Sequence, residues 1–395
     1  MVPVLSGIDI LLASPPEWKG ARIGLVTNHA AVTHGFLSSR MALLQKGFRL
    51  VKLFSPEHGL DTSGADGRLM HDGLDPSTGL PIISLYSHKV APTPEDLEDI
   101  DLVLFDIPDV GARFYTYLWT MTHVMEACAG NKKRFILADR PNPLSGNLDL
   151  AEGPLLDEAR CHSFIGRWSI PVRHSCTLGE LANYFNVTRK IGCSLEVVSC
   201  ANWNRSRFYP EFGASFVPPS PAITNFESAL FYPGLCFLEA TNLSEGRGTA
   251  LPFRVVGAPW MQAEKTAKRF NEMVADDAGG VVARAIHFTP AEGKYTAQKC
   301  PGIILHVRDP FVFRPVRTGW LLLRLIKDLH TGSFEWAVYP TQVNPSGGQH
   351  LDLLLGLPRA EQLFESHPAT LLADIQKHTA AEGWAERVKP FLLYK

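Results

Sequence analysis

The chain has 395 residues, 45% of them hydrophobic and 20% charged, a composition that excludes general disorder and suggests two or three folded domains. Lysine plus arginine (38) nearly balances aspartate plus glutamate (40), so no overall positive field exists to neutralise a run of phosphates, which argues against a dedicated nucleic-acid binder. The seven cysteines (Cys128, Cys161, Cys176, Cys193, Cys200, Cys236 and Cys300) stand singly with no CxxC pair, so reduced thiols are expected and neither a disulfide framework nor a structural zinc site.

The opening MVPVLSGIDILLASPPEW has neither a basic nor a long apolar region and reads as an amphipathic segment of the fold. Apolar stretches fall short of the roughly 18 residues a membrane span needs, and the expected location is the cytoplasm. Short runs rich in Val, Ile, Leu and Phe follow at 22–28, 49–54, 82–86, 102–106 and 135–139, with little polar alternation, as for parallel strands covered on both faces. Segments 35–45 and 117–129 have helical spacing; Leu118, Met121, Val124, Met125 and Cys128 on or near one stripe of the latter read as core. Thr177 with Glu180 three residues on starts a helix over 178–185, and 194–200 is a further strand. A loop rich in Pro, Ser and Asn at 202–225 is the linker candidate, dividing the chain into domains 1–225 and 226–395. In the second, 260–274 and 319–329 read as helices and 302–307 as a strand. The fold class is α/β, with a parallel-sheet core and a smaller α+β domain after it.

Three polar clusters follow directly on strands: SPEHG, DIPDVGARFYTY and DRPNP. In open α/β sheets ligands bind at the carboxyl ends of strands, so the three are expected to converge on one cleft. Glu57 and His58 share a tight turn between Pro56 and Gly59, where partial burial would lift a carboxyl toward the pH at which a general acid works; a solvated loop carboxylate is the bland alternative. His58 orients Glu57 or contacts ligand. Asp106 and Asp109 are expected to face the crevice. Arg113 offers a planar fork for carboxylate or phosphate and Tyr115 a ring face and hydroxyl, against the competing assignment of an internal Asp–Arg pair that fixes the loop. Asp139 and Arg140 lie beside Asn142, which Pro141 and Pro143 hold rigid. His174, ahead of a helix N-terminus, serves either core hydrogen bonding or substrate contact. The second half contributes Tyr232, Glu239, Asn242 and the SEGRGT run with Glu245 and Arg247, a turn suited to an anion but matching neither the phosphate-loop nor the dinucleotide-loop pattern. No HExxH or GxSxG motif occurs, so carboxylate chemistry without metal or cofactor is expected.

Taken in order, FSPEHG, VLFDIPDVGARFYTY, ADRPNPLSG, AEGPLLD, SFIGRWSIPVRH, TLGELANYFN, FYPG and TNLSEGRGT resemble the NamZ family of exo-β-N-acetylmuramidases, glycoside hydrolases long catalogued as a domain of unknown function. The resemblance runs over almost the whole chain. It implies a Rossmann-like N-terminal domain, a smaller C-terminal domain, a cleft between them, and removal of terminal non-reducing β-linked N-acetylmuramic acid from peptidoglycan fragments. Glu57 matches the glutamate of the family's PEHG motif, proposed there as catalytic. Asp106, Asp109, Arg113, Tyr115, Asp139, Arg140, Asn142, Asn242, Glu245 and Arg247 match motif positions only. Arg68, Ser175-Cys176, Ala222 and Ala240 depart from the family pattern. The expected activity is hydrolysis with Glu57 as general acid/base, and Glu239, Glu245, Asp106 and Asp109 as candidates for a second carboxylate. The alternatives are a non-catalytic binder of muropeptides or acidic sugars, or a hydrolase of another carbohydrate.

Overall fold

Seven strands form the main sheet: β1 (Ile23–Thr27), β2 (Leu50–Ser55), β3 (Gly73–Leu74), β4 (Pro81–Ser84), β5 (Leu102–Asp106), β6 (Arg134–Ala138) and β7 (Ser194–Val198), in the order β3-β4-β2-β1-β5-β6-β7. All neighbours pair in parallel except β3, which runs antiparallel to β4. A second, antiparallel sheet comprises β8 (Val255–Gly257), β9 (Val281–Phe288) and β10 (Cys300–Val307), with β10 in the middle. The computed structural model describes residues 2–275, 280–365 and 371–395.

The strands read from apolar runs fall where expected because both faces of the main sheet are covered. Along β5, Leu102 and Leu104 join one core while Val103 and Phe105 join the other; β6 repeats this, with Ile136 and Ala138 against Phe135 and Leu137. Successive side chains in a strand point to opposite faces, so a strand buried twice loses its polar alternation. Thr177 caps the helix Leu178–Thr188 as its sequence predicts: its hydroxyl accepts from the Glu180 amide, and its own amide donates 3.0 Å to the Glu180 carboxylate.

The larger core continues without a break from the β5–β6 face into the second half, taking in Leu230, Phe231, Ile303, Leu305 and Trp320. The 202–225 segment is packed and not a free tether: Trp203, Phe208, Phe212 and Ile223 are buried, because the aromatics among its prolines find apolar neighbours. The helices Phe226–Leu235 and Pro315–Leu329 cross backbone on backbone. A Cβ on Gly234 would come within 1.9 Å of the Pro315 carbonyl oxygen, and one on Gly319 within 2.2 Å of that of Gly234. Glu152, from the first half, accepts the Val316 and Arg317 amides at 3.0 and 2.6 Å and so satisfies donors at the start of the second of these helices.

Arg113 belongs to this framework. It is fully buried; its Nη1 donates at 2.8 Å to the carbonyls of Pro154 and Ile170, and its Nη2 at 2.8 Å to that of Leu354 in the helix His350–Leu355. The guanidinium therefore stitches loops of the first half to a helix of the second, a role that its fork serves as well as it would serve a ligand carboxylate. Arg113→Met should lower the unfolding free energy in urea by at least about 3 kcal/mol, from ~1 kcal/mol or more for each carbonyl left without its donor; an unchanged midpoint would refute the framework role.

Candidate active site

A cavity of about 590 Å³ opens beyond the carboxyl end of β2, walled by the 57–67 loop, the Phe114–Thr116 turn, the 162–165 loop and segments of the second half. Glu57 is 5% exposed. Its Oε1 accepts from the Gly67 amide at 3.0 Å and its Oε2 from the Thr116 hydroxyl at 2.6 Å. Burial raises its pKa; His58 opposes this, Asp66 adds to it, and the Thr116 and Gly67 hydrogen bonds oppose it, with a net upward shift. The PEHG turn is built for this placement: His58 (φ 67°) and Gly59 (φ 77°) take left-handed backbone, reversing the chain after β2. His58 Nδ1 lies 2.7 Å from the Gly64 carbonyl and must donate to it, which leaves Nε2 as the other ring nitrogen.

The second half supplies the facing wall. Glu239 is buried between Arg247 Nη2 at 2.7 Å and His350 Nε2 at 2.9 Å. Burial alone would raise its pKa, but Arg247 and His350 together bring it down to about 2. Tyr339 stacks on His350, ring centroids 4.6 Å apart, and donates its hydroxyl to Asp66 at 2.9 Å. Phe114, Tyr115, Tyr232 and Phe253 give the cavity an aromatic lining, and the Arg247 guanidinium sits over the Phe253 ring.

Of the residues expected at the site, the cavity brings together Glu57, His58, Tyr115, Tyr232, Glu239 and Arg247. The others stand behind its walls or away from it, held by partners of the fold. Asp106 pairs with Arg140 at 2.6 Å, and Arg140 also reaches the Val32 carbonyl. Asp109 accepts the Gly111 amide and lies 3.4 Å from His174 Nε2, while His174 Nδ1 accepts the Cys176 amide. Asp139 accepts from Thr177, Gly179 and Tyr394, and Asn142 bridges the Cys176 carbonyl and the Leu144 amide. Asn242 bonds the Ser333 carbonyl and the Glu335 amide. Glu245 lies behind Arg247, 3.5 Å from its Nε and 3.2 Å from Lys294. The DRPNP cluster turns away from the cavity because the end of β6 is covered by the helix Leu178–Thr188 and the C-terminal tail. Among the four departures from the family pattern, Ala222 alone lines the cavity.

Thr116, Asp66, Tyr86, Tyr339 and His350 were not anticipated. Thr116 lies inside the FYTY motif and was open to detection as the residue just before a helix. Asp66 and Tyr339 sit in irregular loops that carry no periodic signal, and His350 opens the short helix His350–Leu355.

Glu57, His58 and Asp66 also offer donor atoms all within 4.8 Å of one another, a grouping with the spacing of a cation site. Each Glu57 oxygen there also accepts a hydrogen bond from the protein, from the Gly67 amide and the Thr116 hydroxyl. A buried carboxyl of raised pKa in an aromatic-walled cavity, with further carboxylates at hand, is the arrangement that a glycoside hydrolase on an α/β fold needs.

The comparisons with known proteins agree. Residues 23–227 match the N-terminal and 230–394 the C-terminal profile of exo-beta-N-acetylmuramidase NamZ. Peptidoglycan beta-N-acetylmuramidase NamZ of Bacillus subtilis is 40% identical over 335 residues, 84% of this chain and 80% of that one. Two crystal structures of DUF1343-family proteins of Bacteroides fragilis superpose with TM-scores of 0.87 and 0.76 at 29% and 28% identity, each over the whole of this chain and 100% and 99% of theirs. The chain belongs to the NamZ family of exo-β-N-acetylmuramidases.

The Thr116 hydroxyl favours the ionised form of Glu57. If Glu57 delivers a proton, turnover falls as pH rises through its pKa, and removing that hydroxyl raises the pKa further. Thr116→Val should therefore move the alkaline limb of the kcat–pH profile to higher pH; a shift to lower pH would contradict the assignment.

Proposed function

We propose that this protein releases N-acetylmuramic acid from the non-reducing ends of peptidoglycan fragments with Glu57 as the general acid and then the general base. The observation that carries the reading is the Glu57 carboxyl: buried, shifted toward its protonated form, hydrogen-bonded on both oxygens and open to a cavity large enough for a sugar. Such a group donates its proton to the departing glycosidic oxygen and, once ionised, takes one from the incoming water.

The walls suit the same substrate. Tyr115, Tyr232 and Tyr339 offer ring faces for a pyranose and hydroxyls for its polar rim. The lactyl ether of muramic acid carries a carboxylate, and Arg247 is the arginine that lines the cavity, in a position to share its fork between Glu239 and that group. Seven free thiols fit a reducing compartment, which supports action on fragments inside the cell; no helix among the described residues is long and apolar enough to cross a membrane.

Glu57→Gln keeps both hydrogen-bonding positions and removes the transferable proton. It should retain the fold and bind product by calorimetry, yet lose at least about a hundredfold in kcat on a chromogenic β-N-acetylmuramide. Wild-type turnover in that variant would end the assignment, and binding without product by the unaltered protein would identify a non-catalytic binder.

A further inference from the structure

Protonating the leaving oxygen is half of glycoside hydrolysis; the charge that develops at the anomeric carbon must also be met. The cavity presents two carboxylates besides Glu57. Glu239 is committed to Arg247 and His350 and is almost wholly buried. Asp66 is different: its side chain is 32% exposed, it lines the cavity, and its nearest carboxylate oxygen lies within 4.8 Å of one on Glu57. Inverting hydrolysis needs about 6.5–9.5 Å between the two carboxyls to seat a water, and direct attack by a carboxylate nucleophile is associated with about 5–5.5 Å. With oxygens that close, Glu57 and Asp66 leave no room between them for the water of an inverting pair.

That gap is set by the backbone. The residue after Asp66 donates its amide to Glu57, so the two carboxylates are tied through Gly67. Gly67 takes left-handed backbone (φ 65°) and packs so closely on the second half that a Cβ there would lie 2.6 Å from Thr341 Cβ; its carbonyl accepts the Gln342 amide at 3.2 Å. The Tyr339 hydroxyl holds Asp66 Oδ2 at 2.9 Å, and Arg247 Nη2 stands 3.7 Å from the same oxygen. A loop of the second half thus aims a first-half carboxylate into the cavity beside the acid.

We propose that Asp66 is the second catalytic carboxylate, holding the substrate's 2-acetamido group for attack on its own anomeric carbon in a two-step hydrolysis that retains configuration. This rests on the reading of Glu57 as the acid. In the first step the acetamido carbonyl oxygen bonds to C1 while the C1–aglycone bond breaks; the Glu57 proton goes to the leaving oxygen, and the acetamido N–H proton passes to Asp66, giving a neutral oxazoline. In the second, water bonds to C1 and gives a proton to Glu57, the ring C1–O bond breaks with its electron pair returning to the acetamide oxygen, and Asp66 returns its proton to nitrogen. The sum is one water consumed and one glycosidic bond cleaved.

The test follows anomers by proton NMR in the first minutes of hydrolysis of a β-linked muramide and compares the wild type with Asp66→Asn and Glu57→Gln. The wild type should release the β-anomer first and be inhibited by a muramyl thiazoline. Asp66→Asn should melt as the wild type does, lose about a hundredfold or more in kcat with KM little changed, and lose thiazoline inhibition. The α-anomer appearing first would overturn the proposal without any variant, as would wild-type kcat in Asp66→Asn. If Glu57→Gln is inactive while Asp66→Asn is not, the acid assignment stands and the Asp66 role falls; if Glu57→Gln is active, the acid assignment itself fails.

Discussion

Keeping one carboxyl dry, yet satisfied, is the constraint on which the site depends. An ionisable group withdrawn from water without partners costs several kcal/mol, and an abundance of partners would hold it ionised. Glu57 accepts a hydroxyl from the start of the helix Tyr117–Gly130 and an amide from the 57–67 loop. These donors support its burial, and burial still dominates its titration. The turn after β2 brings the residue there, and the left-handed residues of that turn are the local cost of doing so.

Neither half of the chain makes this environment alone. The first half brings Glu57, His58, Phe114, Tyr115 and Thr116, while the second brings Glu239, Arg247, Tyr339 and His350. The halves are joined by polar contacts as specific as those in the cavity: Arg113 to the Leu354 carbonyl, Glu152 to the amides at the head of a second-half helix, and the crossing of Gly234 over Gly319. One continuous apolar core lies beneath these contacts.

The sheet was legible because double burial leaves a plain mark in sequence, an unbroken apolar run, and β5 begins and ends where that run does. The capped helix at Thr177 was legible for a local reason too. The site was legible only in part. Residue type says what Arg113 or Asp139 is able to bind, but a buried guanidinium meets three backbone carbonyls as readily as a ligand, and a buried aspartate meets a helix N-terminus. Which of these a motif serves depends on the face it turns to the interior, and that is settled by distant chain. The Tyr339–Asp66 bond joins residues 273 positions apart, beyond the reach of any spacing rule.

One further feature bears on how such proteins are recognised. The chain reverses its direction of travel across the sheet between β1 and β5, where doubly wound folds commonly lodge a nucleotide. Here Asp106 and Arg140 lock together across the strand ends, with Arg140 also gripping the loop after β1 at Val32, and the depression beside Arg140 measures only about 80 Å³. The cavity that holds Glu57 lies to one side, at the β2 exit. Sorting this architecture by its sheet alone would therefore file it with dehydrogenases and flavoproteins, and an annotator looking for a cofactor crevice would be searching a sealed seam.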